Sequence, residues 1–264
     1  MKKELILILI QNLGGGGAEK VTINLATYLK DKGYLVKLVL LEETGAFLNT
    51  LPTGIEIINL KVNRFRNSIF PMVSCFNMFK PKIILVNMWP LTFFATISWL
   101  ISRRLVKLFL VEHTNLLCAH NGLNTISKFF LKISCRITYP FATGVIAVSK
   151  GVFKEIIEIS KLKKEKVKVI NNPIFRNNIP NSIGFYEIPD FWKNCRYRIL
   201  SVGRFGAEKN HKMLLNSFAI LRRHLVAKLI ILGDGPLYSS TKDYVLNLGM
   251  SDSVYLPGFV LNLD

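Results

Sequence analysis

The regular alternation of short apolar runs with helical patterns is the feature that most limits the folds open to this chain. Each run that predicts a strand is followed by a segment whose apolar residues recur every three to four positions, the spacing of one helix face. Repeated strand–helix units of this kind place neighbouring strands parallel, with helices packed on the sheet. The sequence therefore predicts an α/β protein of the doubly wound, parallel-sheet type.

The first part of the chain contains enough of these units for a complete doubly wound domain. The predicted strands are Leu5–Ile10, Tyr34–Leu41, Ile55–Ile58, 83–87, 105–111, 144–148 and 167–170. The predicted helices are Ala18–Lys30, 68–80, 90–102, 124–140 and 150–159. Gly33 is expected to end the first helix. The apolar face of that helix is predicted to carry Val21, Leu25, Tyr28 and Leu29.

The strand–helix pattern pauses after Asn172 and resumes at Arg198 with the strand ILSVG. Two further strands, AKLIILG and SVYLPGF, alternate with helices near 210–224 and 239–248. A doubly wound domain usually has two such β–α–β–α–β halves, so only part of a second Rossmann-like domain is expected here. The predicted organisation is a first domain at 1–172, a linker at 173–196 and a partial second domain at 197–264.

The charge of the chain favours anionic partners. It carries 35 Lys and Arg against 17 Asp and Glu, a formal net charge of +18, which suits phosphorylated small molecules, anionic lipid or nucleic acid. The basic residues are dispersed and no pattern typical of a nucleic-acid-binding fold occurs, so nucleic acid is not expected as a partner. The four cysteines show neither CxxC nor metal-ligand spacing, which predicts reduced thiols in a cytosolic protein.

Two apolar segments are better explained by the sheet than by a membrane span or a signal peptide. The run LILILI is short and follows Glu4, and a glycine loop and an amphipathic helix come after it, as expected for a first strand. The uncharged stretch Ile83–Ile101 approaches the roughly 20 residues that cross a bilayer. Asn87 and Pro90 divide that stretch into a strand and a helix.

A run of four glycines, Gly14 to Gly17, stands between the first strand and the first helix. Glycines let the backbone approach a phosphate, and a helix N-terminus offers free N–H groups and a positive dipole end. A dinucleotide fingerprint begun at Gly14 would need glycine where Glu19 stands, and no Gly-Lys-Ser/Thr of a P-loop follows. The run therefore predicts either a different phosphate-binding loop or a purely structural turn.

A second motif, Ser201-Val202-Gly203-Arg204-Phe205, follows the first strand of the second domain, with Lys209 just before a helix. Arg204 and Lys209 would thus stand at the carboxyl end of a parallel strand, where α/β sheets bind ligands. Arginine makes bidentate bonds to phosphate and lysine adds a mobile charge. The alternative is an ordinary solvated basic loop.

Two more loops follow the remaining strands of this domain, Leu232-Gly233-Asp234-Gly235-Pro236 and Leu256-Pro257-Gly258-Phe259-Val260. Either one alone is no more than a turn. Together with the SVGRF loop they are expected at one edge of the sheet, where they would form a crevice of nucleotide size.

In chain order, GGGAE, VEHTN, VIAVSKG, VINNPI, SVGRFGAEKNH, ILGDGP and LPGFV resemble the motifs of family-4 retaining glycosyltransferases with the GT-B fold. The resemblance covers almost the whole chain. It implies two Rossmann-like domains and transfer of a hexosyl or N-acetylhexosaminyl group, with retention, from a nucleotide-sugar to a glycan or lipid-linked acceptor. It also implies a role in surface polysaccharide or glycoconjugate biosynthesis at the cytoplasmic face of a membrane.

The same resemblance gives roles to individual residues. It implies that Arg204 and Lys209 hold the donor diphosphate, that Gly16 and Gly17 close over it, and that His113 is the catalytic-site histidine facing the donor sugar. The residues implied to surround the nucleoside are Gly233, Asp234, Gly235, Gly258, Phe259 and Val260. The residues implied to line the cleft are Ser149 and Asn172. A histidine at a strand end is also often only hydrogen-bonded, which is the alternative for His113.

No metal or other cofactor is expected. Asp-x-Asp occurs at no predicted strand end, so Arg204, Lys209 and helix dipoles would neutralise the leaving diphosphate in place of a divalent cation. One departure from the family stands out, because the Glu-x7-Glu stretch that family members carry beyond LPGFV does not occur here. The expectation is a truncated, weakly active or inactive chain. It would be a fragment, a prematurely ended gene product, or one piece of a split enzyme whose missing part a separate chain supplies.

The predicted helix Asn124–Phe141 carries Lys128, Lys132 and Arg136 at four-residue spacing, with Phe129, Phe130, Ile133 and Ile137 beside them. A basic, aromatic, amphipathic helix suits an anionic membrane surface, and Arg103, Arg104 and Lys107 would add to it. The alternative is a core-packed helix with a solvated basic side. For the chain as a whole, the competing hypothesis is a non-catalytic, membrane-associated or partner-binding remnant.

Overall fold

The computed structural model describes residues 4–102, 106–119, 122, 124–173 and 190–260. The chain divides into two compact units, Met1–Pro173 and Ile174–Asp264. Every strand pair in the described ranges is parallel. The predicted α/β class, with a doubly wound first sheet and a partial second sheet, is confirmed.

The first unit is built on a seven-stranded sheet in the order β3-β2-β1-β4-β5-β6-β7. Its strands are β1 (Leu5–Ile10), β2 (Leu35–Leu40), β3 (Glu56–Asn59), β4 (Ile83–Asn87), β5 (Lys107–Glu112), β6 (Gly144–Ala147) and β7 (Val167–Val169). Its helices are α1 (Gly17–Asp31), α2 (Ile69–Phe79), α3 (Leu91–Ile101), α4 (Leu116–Ala119), α5 (Thr125–Thr138) and α6 (Lys150–Ser160). The sheet reverses its direction of growth between β1 and β4, where doubly wound folds bind ligands.

Strand β1 lies at the centre of this sheet because its six residues are apolar without interruption. Alternate side chains of a strand point to opposite faces. Leu7 and Leu9 pack into the core beneath α2, α3, α5 and α6, whereas Ile6 and Ile8 pack against Ala26 of α1. Helices on both faces leave β1 no exposed side, as a buried parallel strand requires.

The predicted apolar face of α1 is wrong in part. Tyr28 is 51% exposed, and the buried residues of α1 are Thr22, Ile23 and Ala26. Leu25 and Leu29 pack against the core as predicted, but they are only partly buried, and the buried positions all come before Leu29 in the helix. Thr22 tolerates burial because its hydroxyl donates to the Ala18 carbonyl (2.8 Å).

The second unit has a three-stranded sheet in the order β10-β9-β8. Its elements are β8 (Tyr197–Val202), α7 (His211–Leu221), β9 (Ala227–Leu232), α8 (Tyr238–Asn247) and β10 (Val254–Gly258). Both helices pack on one face around Leu215, Phe218 and Leu229. On the opposite face, Leu200 and Val202 are about half exposed, at 52% and 50%.

Candidate functional site

Three loops meet at the carboxyl edge of the second unit's sheet, one after each strand. The Gly203 N–H donates to the Leu232 carbonyl (2.9 Å), and the Gly233 N–H donates to the Gly258 carbonyl (2.8 Å). The Phe205 N–H donates to the Asp234 carbonyl (2.9 Å). Because the loops bond to one another, their backbone forms one continuous surface at the sheet edge.

Arg204 and Lys209 both belong to this surface and both are exposed. Lys209 ends a 3₁₀ turn, Ala207–Lys209, just before α7. Its side chain lies along Gly203, where a Cβ would stand 3.2 Å from Lys209 Cε. Neither cation forms an ion pair within the described ranges. Two cations beside a helix N-terminus make this edge suited to an anion such as a diphosphate.

The loop that carries the two cations is anchored by a residue pair to which the sequence reasoning gave no role. Phe205 is fully buried and stacks on His211, with ring centroids 4.4 Å apart. It also meets Tyr238 of α8 edge to face at 5.1 Å. Burial, followed by the charge of Lys209, lowers the pKa of His211. A phenylalanine next to Arg204 in the stretch GRFG is the sequence feature from which this anchoring contact could have been predicted.

Asp234 and the last residues of the LPGFV loop complete this edge. Asp234 is exposed, and its carboxylate accepts from the Gly235 N–H (2.7 Å). Phe259 and Val260 are exposed at 43% and 37%. An apolar pair next to bonded loops suits the flat face of a nucleobase.

In the first unit, His113 follows β5 directly and is fixed by one neighbour. Asn87, at the end of β4, donates from Nδ2 to the Leu9 carbonyl (3.0 Å), so its Oδ1 is turned to His113 Nε2 at 3.0 Å. His113 therefore donates from Nε2, and its buried Nδ1 has no hydrogen-bond partner in the described ranges. Burial lowers the pKa of His113 to about 4, so the ring is neutral near pH 7.

Glu112, the residue before His113, is fully buried, and the sequence reasoning gave it no role. Its carboxylate accepts from the Tyr139 hydroxyl (2.5 Å), the Thr92 hydroxyl (3.1 Å) and the Trp89 N–H (3.2 Å). Burial raises the pKa of Glu112 to about 7, against these three donors, which lower it. In the sequence, a glutamate at the end of an apolar strand is the feature from which such a buried hydrogen-bond network could have been predicted.

The glycine loop lies where the sheet reverses direction, at the end of β1. Gly16 caps α1, which begins at Gly17. Glu19 lies in the first turn, and its Oε2 is 2.6 Å from where a Gly16 Cβ would be. A phosphate at this helix N-terminus would therefore lie close to the chain's own carboxylate.

The two residues predicted to line a cleft differ in their surroundings. Ser149 caps α6, because its hydroxyl oxygen accepts from the Val152 N–H (3.2 Å). Asn172 lies beyond β7 and is exposed. Together with Gly16, Gly17 and His113, both follow carboxyl ends of first-unit strands, whereas Arg204, Lys209 and the nucleoside loops belong to the second unit.

Helix α5 places three kinds of side chain on three sides. Its packed side is formed by Leu131, Ser134, Cys135 and Thr138. Its apolar residues Ile126, Phe129, Phe130 and Ile137 are exposed at 78%, 65%, 45% and 58%. Lys132 and Arg136 are exposed beside this stripe, and Lys128 is half-buried. Arg103 and Arg104 lie outside the described residues, and Lys107 begins β5.

Within the described ranges no group of three or more His, Cys, Asp or Glu residues could hold a metal ion. The helices there are all too short or too polar to cross a bilayer.

Two parallel α/β units, each with loops at the carboxyl edge of its sheet, are the architecture of the GT-B fold. The chain belongs to glycosyltransferase family 4. The family model "Glycosyltransferase Family 4" matches residues 15–176, and "Glycosyl transferases group 1" matches residues 190–264. The resemblance drawn from the motifs is thereby confirmed.

Curated relatives match over roughly half of this chain. The N-acetylgalactosamine-N,N'-diacetylbacillosaminyl-diphospho-undecaprenol 4-alpha-N-acetylgalactosaminyltransferase of Campylobacter jejuni is 30% identical over 139 residues, 53% of this chain and 35% of that protein. The alpha-monoglucosyldiacylglycerol synthase of Streptococcus pneumoniae is 30% identical over 116 residues, 44% of this chain and 24% of that protein. The matches thus span about a third or less of these relatives.

The fold is shared with solved structures. Anabaena HepE, crystallised with UDP-glucose, matches with a TM-score of 0.76 at 21% identity, over 97% of this chain and 69% of that one. A match at 21% identity supports a shared GT-B fold and does not show shared substrates.

Proposed function

We propose that this chain binds a nucleotide-sugar and transfers its hexosyl or N-acetylhexosaminyl group, with retention of configuration, to a glycan or lipid-linked acceptor. The observation that carries the proposal is the bonded loop surface of the second unit, with Arg204 and Lys209 exposed beside the N-terminus of α7. The pathway we propose is the assembly of a surface polysaccharide or glycoconjugate. The Campylobacter relative, named for a diphospho-undecaprenol acceptor, supports a lipid-linked substrate.

Each part of the site has a proposed task. Arg204, Lys209 and the dipole of α7 neutralise the diphosphate as it leaves, with no divalent cation required. The Gly233–Gly235 and Gly258–Val260 loops bind the nucleoside. Gly16 and Gly17 contribute N–H groups to an anion, and His113, which is held by Asn87, faces the donor sugar. Ser149 and Asn172 add polar contacts.

Calorimetry with UDP and GDP tests the donor site. We expect the Arg204→Ala, Lys209→Ala double variant to lose at least about 100-fold in affinity, because each charge-assisted bond to phosphate is worth about 1.5–3 kcal/mol. EDTA is expected to leave the affinity of the parent unchanged. The matched control is Arg223→Ala, Lys242→Ala, which removes two exposed charges of the same unit away from the N-terminus of α7.

Three outcomes decide between the hypotheses. Equal affinities in the parent and the double variant would contradict the donor site. A drop in the control as large as in the double variant would show that net charge alone attracts the nucleotide. Binding without sugar transfer by the parent would favour the alternative, a non-catalytic, membrane-associated or partner-binding protein.

We further propose that the apolar stripe of α5, with Lys132 and Arg136, lies on an anionic membrane at its cytoplasmic face. Four exposed apolar side chains on one helix, flanked by cations, are typical of helices that lie in a bilayer interface. The net charge of +18 favours the same surface. Peripheral binding of this kind would bring a lipid-linked acceptor to the enzyme.

Vesicle sedimentation measures this contact. Replacing Lys132 and Arg136 with glutamine should weaken binding to phosphatidylglycerol vesicles about 30-fold, at about 1 kcal/mol for each cation near the surface. The Phe129→Ser, Ile137→Ser double variant should weaken vesicle binding more than the glutamine variant does, and this loss should not depend on the salt concentration. Lys163→Gln with Lys164→Gln is the control outside α5. Equal binding of the parent to phosphatidylglycerol and to phosphatidylcholine vesicles would refute the membrane contact. Vesicle binding that is unchanged in the α5 variants would refute it too.

A further inference from the structure

The turn after β4 is joined to the end of β5 through three successive residues. Asn87 meets the His113 ring, Met88 donates its N–H to the Val111 carbonyl (2.8 Å), and the Trp89 N–H donates to Glu112. Of these bonds, the one to Glu112 connects the turn to a carboxylate that also accepts from Thr92 of α3 and from Tyr139, directly after α5. The position of Asn87, and through it that of His113, therefore depends on Glu112.

A second carboxylate holds the other side of the same segment. Glu155 of α6 accepts the N–H of Leu116 (2.5 Å) and the N–H of Leu117 (3.0 Å), the first two residues of α4. Two bonds to neighbouring N–H groups fix both the position and the direction of the chain there. Asn115 is also close to α6, since its Oδ1 is 3.7 Å from where a Cβ on Gly151 of α6 would be.

Between the two carboxylates the chain presents its polar side chains outward. His113 is half-buried, and Thr114 and Asn115 are exposed. We infer that Glu112 and Glu155 are positioning residues, which hold the His113–Asn115 segment from two sides so that it meets a sugar without rearrangement. This inference rests on the proposed function, which gives His113 its contact with the sugar. Preorganisation of this kind matters because a displacement of about 1 Å can cost about 100-fold in rate.

Replacement by glutamine is expected to affect positions 112 and 155 differently, which makes the test specific. At position 112 a glutamine oxygen can accept from Trp89, while its amide donates to the hydroxyl oxygens of Thr92 and Tyr139. At position 155 both carboxylate oxygens face N–H donors, so a glutamine amide would lose one bond. Methionine removes the acceptors at either site with little change in volume. Glu158→Gln, on the exposed side of α6, is the control.

The experiment uses the full chain and three readouts: amide hydrogen exchange, the ¹⁵N signals of the His113 ring, and kinetics with a UDP-sugar. Glu155→Met should speed exchange at both Leu116 and Leu117 about tenfold or more, and Glu155→Gln should do so at one of the two amides. Glu112→Met should speed exchange at Trp89 by a similar factor, whereas Glu112→Gln should resemble the parent. Both methionine variants should shift the His113 ring signals and lower kcat about tenfold to 100-fold. UDP affinity should stay within about twofold of the parent, because neither carboxylate bonds to a residue proposed to contact UDP: Arg204, Lys209 and the nucleoside loops lie in the other unit, and Glu112 and Glu155 accept from residues outside Gly16–Gly17.

Faster exchange at these amides with unchanged His113 signals and unchanged kcat would overturn the inference, since the carboxylates would then be only structural. A Glu112→Gln variant as impaired as Glu112→Met would overturn it too. A parent that binds no nucleotide and transfers no sugar would refute the proposed function alone. In that case the exchange rates and the ring signals of the variants still decide whether the carboxylates position His113.

Discussion

Replacing Gly233 with alanine is expected to destabilise the second unit by at least about 4 kcal/mol and to abolish nucleotide binding. Gly233 has a φ of +139°, and an added Cβ would stand 2.1 Å from the Gly203 carbonyl oxygen and 2.8 Å from its carbon. Both atoms are backbone, so no side chain can move aside. A loss of this size is a large part of the stability of a small domain.

The loops cannot separate to relieve this contact without losing the bonds that join them. Gly203 is tied to Leu232, and Gly233 is tied to Gly258, at 2.9 and 2.8 Å. Separating them would also carry Arg204 away from the loops at Gly233 and Gly258. Any diphosphate and nucleoside bound there would then lose their shared surface, so affinity and stability should fall together.

The measurements are hydrogen exchange in β9 for stability and calorimetry with UDP for binding. Gly249→Ala is the matched control, because Gly249 also has a positive φ (+60°) but nothing lies within 4 Å of its added Cβ. That variant should cost only about 1–2 kcal/mol and leave binding unchanged. A Gly233→Ala chain as stable as the Gly249→Ala chain would show that the close approach is not required.

The sequence predicted the elements well where a strand is buried on both faces. The apolar run Leu5–Ile10 was predicted to be a strand rather than a signal peptide, and β1 has those bounds. The loops after the strands could be placed at one sheet edge because all strands of a parallel sheet end there. The family resemblance then supplied candidate roles for residues in those loops, which calorimetry and kinetics have still to test.

What the sequence did not reveal depends on contacts between residues far apart in the chain. Glu112 was passed over because its partners Thr92 and Tyr139 come from two other helical segments. Phe205 was counted as a loop residue because its burial against His211 depends on how α7 starts. The capping role of Ser149 could have been predicted, since a serine directly before a helical pattern is a helix-start signal.

Gly45 is the residue that sequence reasoning had least chance of finding, and its replacement by alanine is the second large effect that we expect. It has a φ of +123°, and its Cβ would stand 2.1 Å from the Leu13 carbonyl carbon and oxygen and 2.5 Å from the Gly14 nitrogen. The glycine run at Gly14–Gly17 marked one side of this close approach. Nothing in the sequence marked the other side, about thirty residues away.

Gly45→Ala should cost the first unit about 3–5 kcal/mol, because the loop must move away from Leu13 or Leu13 must leave its fully buried site. Two bonds oppose either movement: Leu13 N–H to the Thr44 carbonyl (2.9 Å) and Phe47 N–H to the Leu13 carbonyl (3.1 Å). Hydrogen exchange in β1 measures the loss, with Gly33→Ala as control, since Gly33 has a φ of +92° and open space around it. If the two variants lose equal stability, backbone strain alone explains both, and the glycine loop does not depend on Gly45. If Gly45→Ala loses far more, the position of the glycine loop is set by the segment behind it, and Gly16 and Gly17 are held in place before any ligand binds.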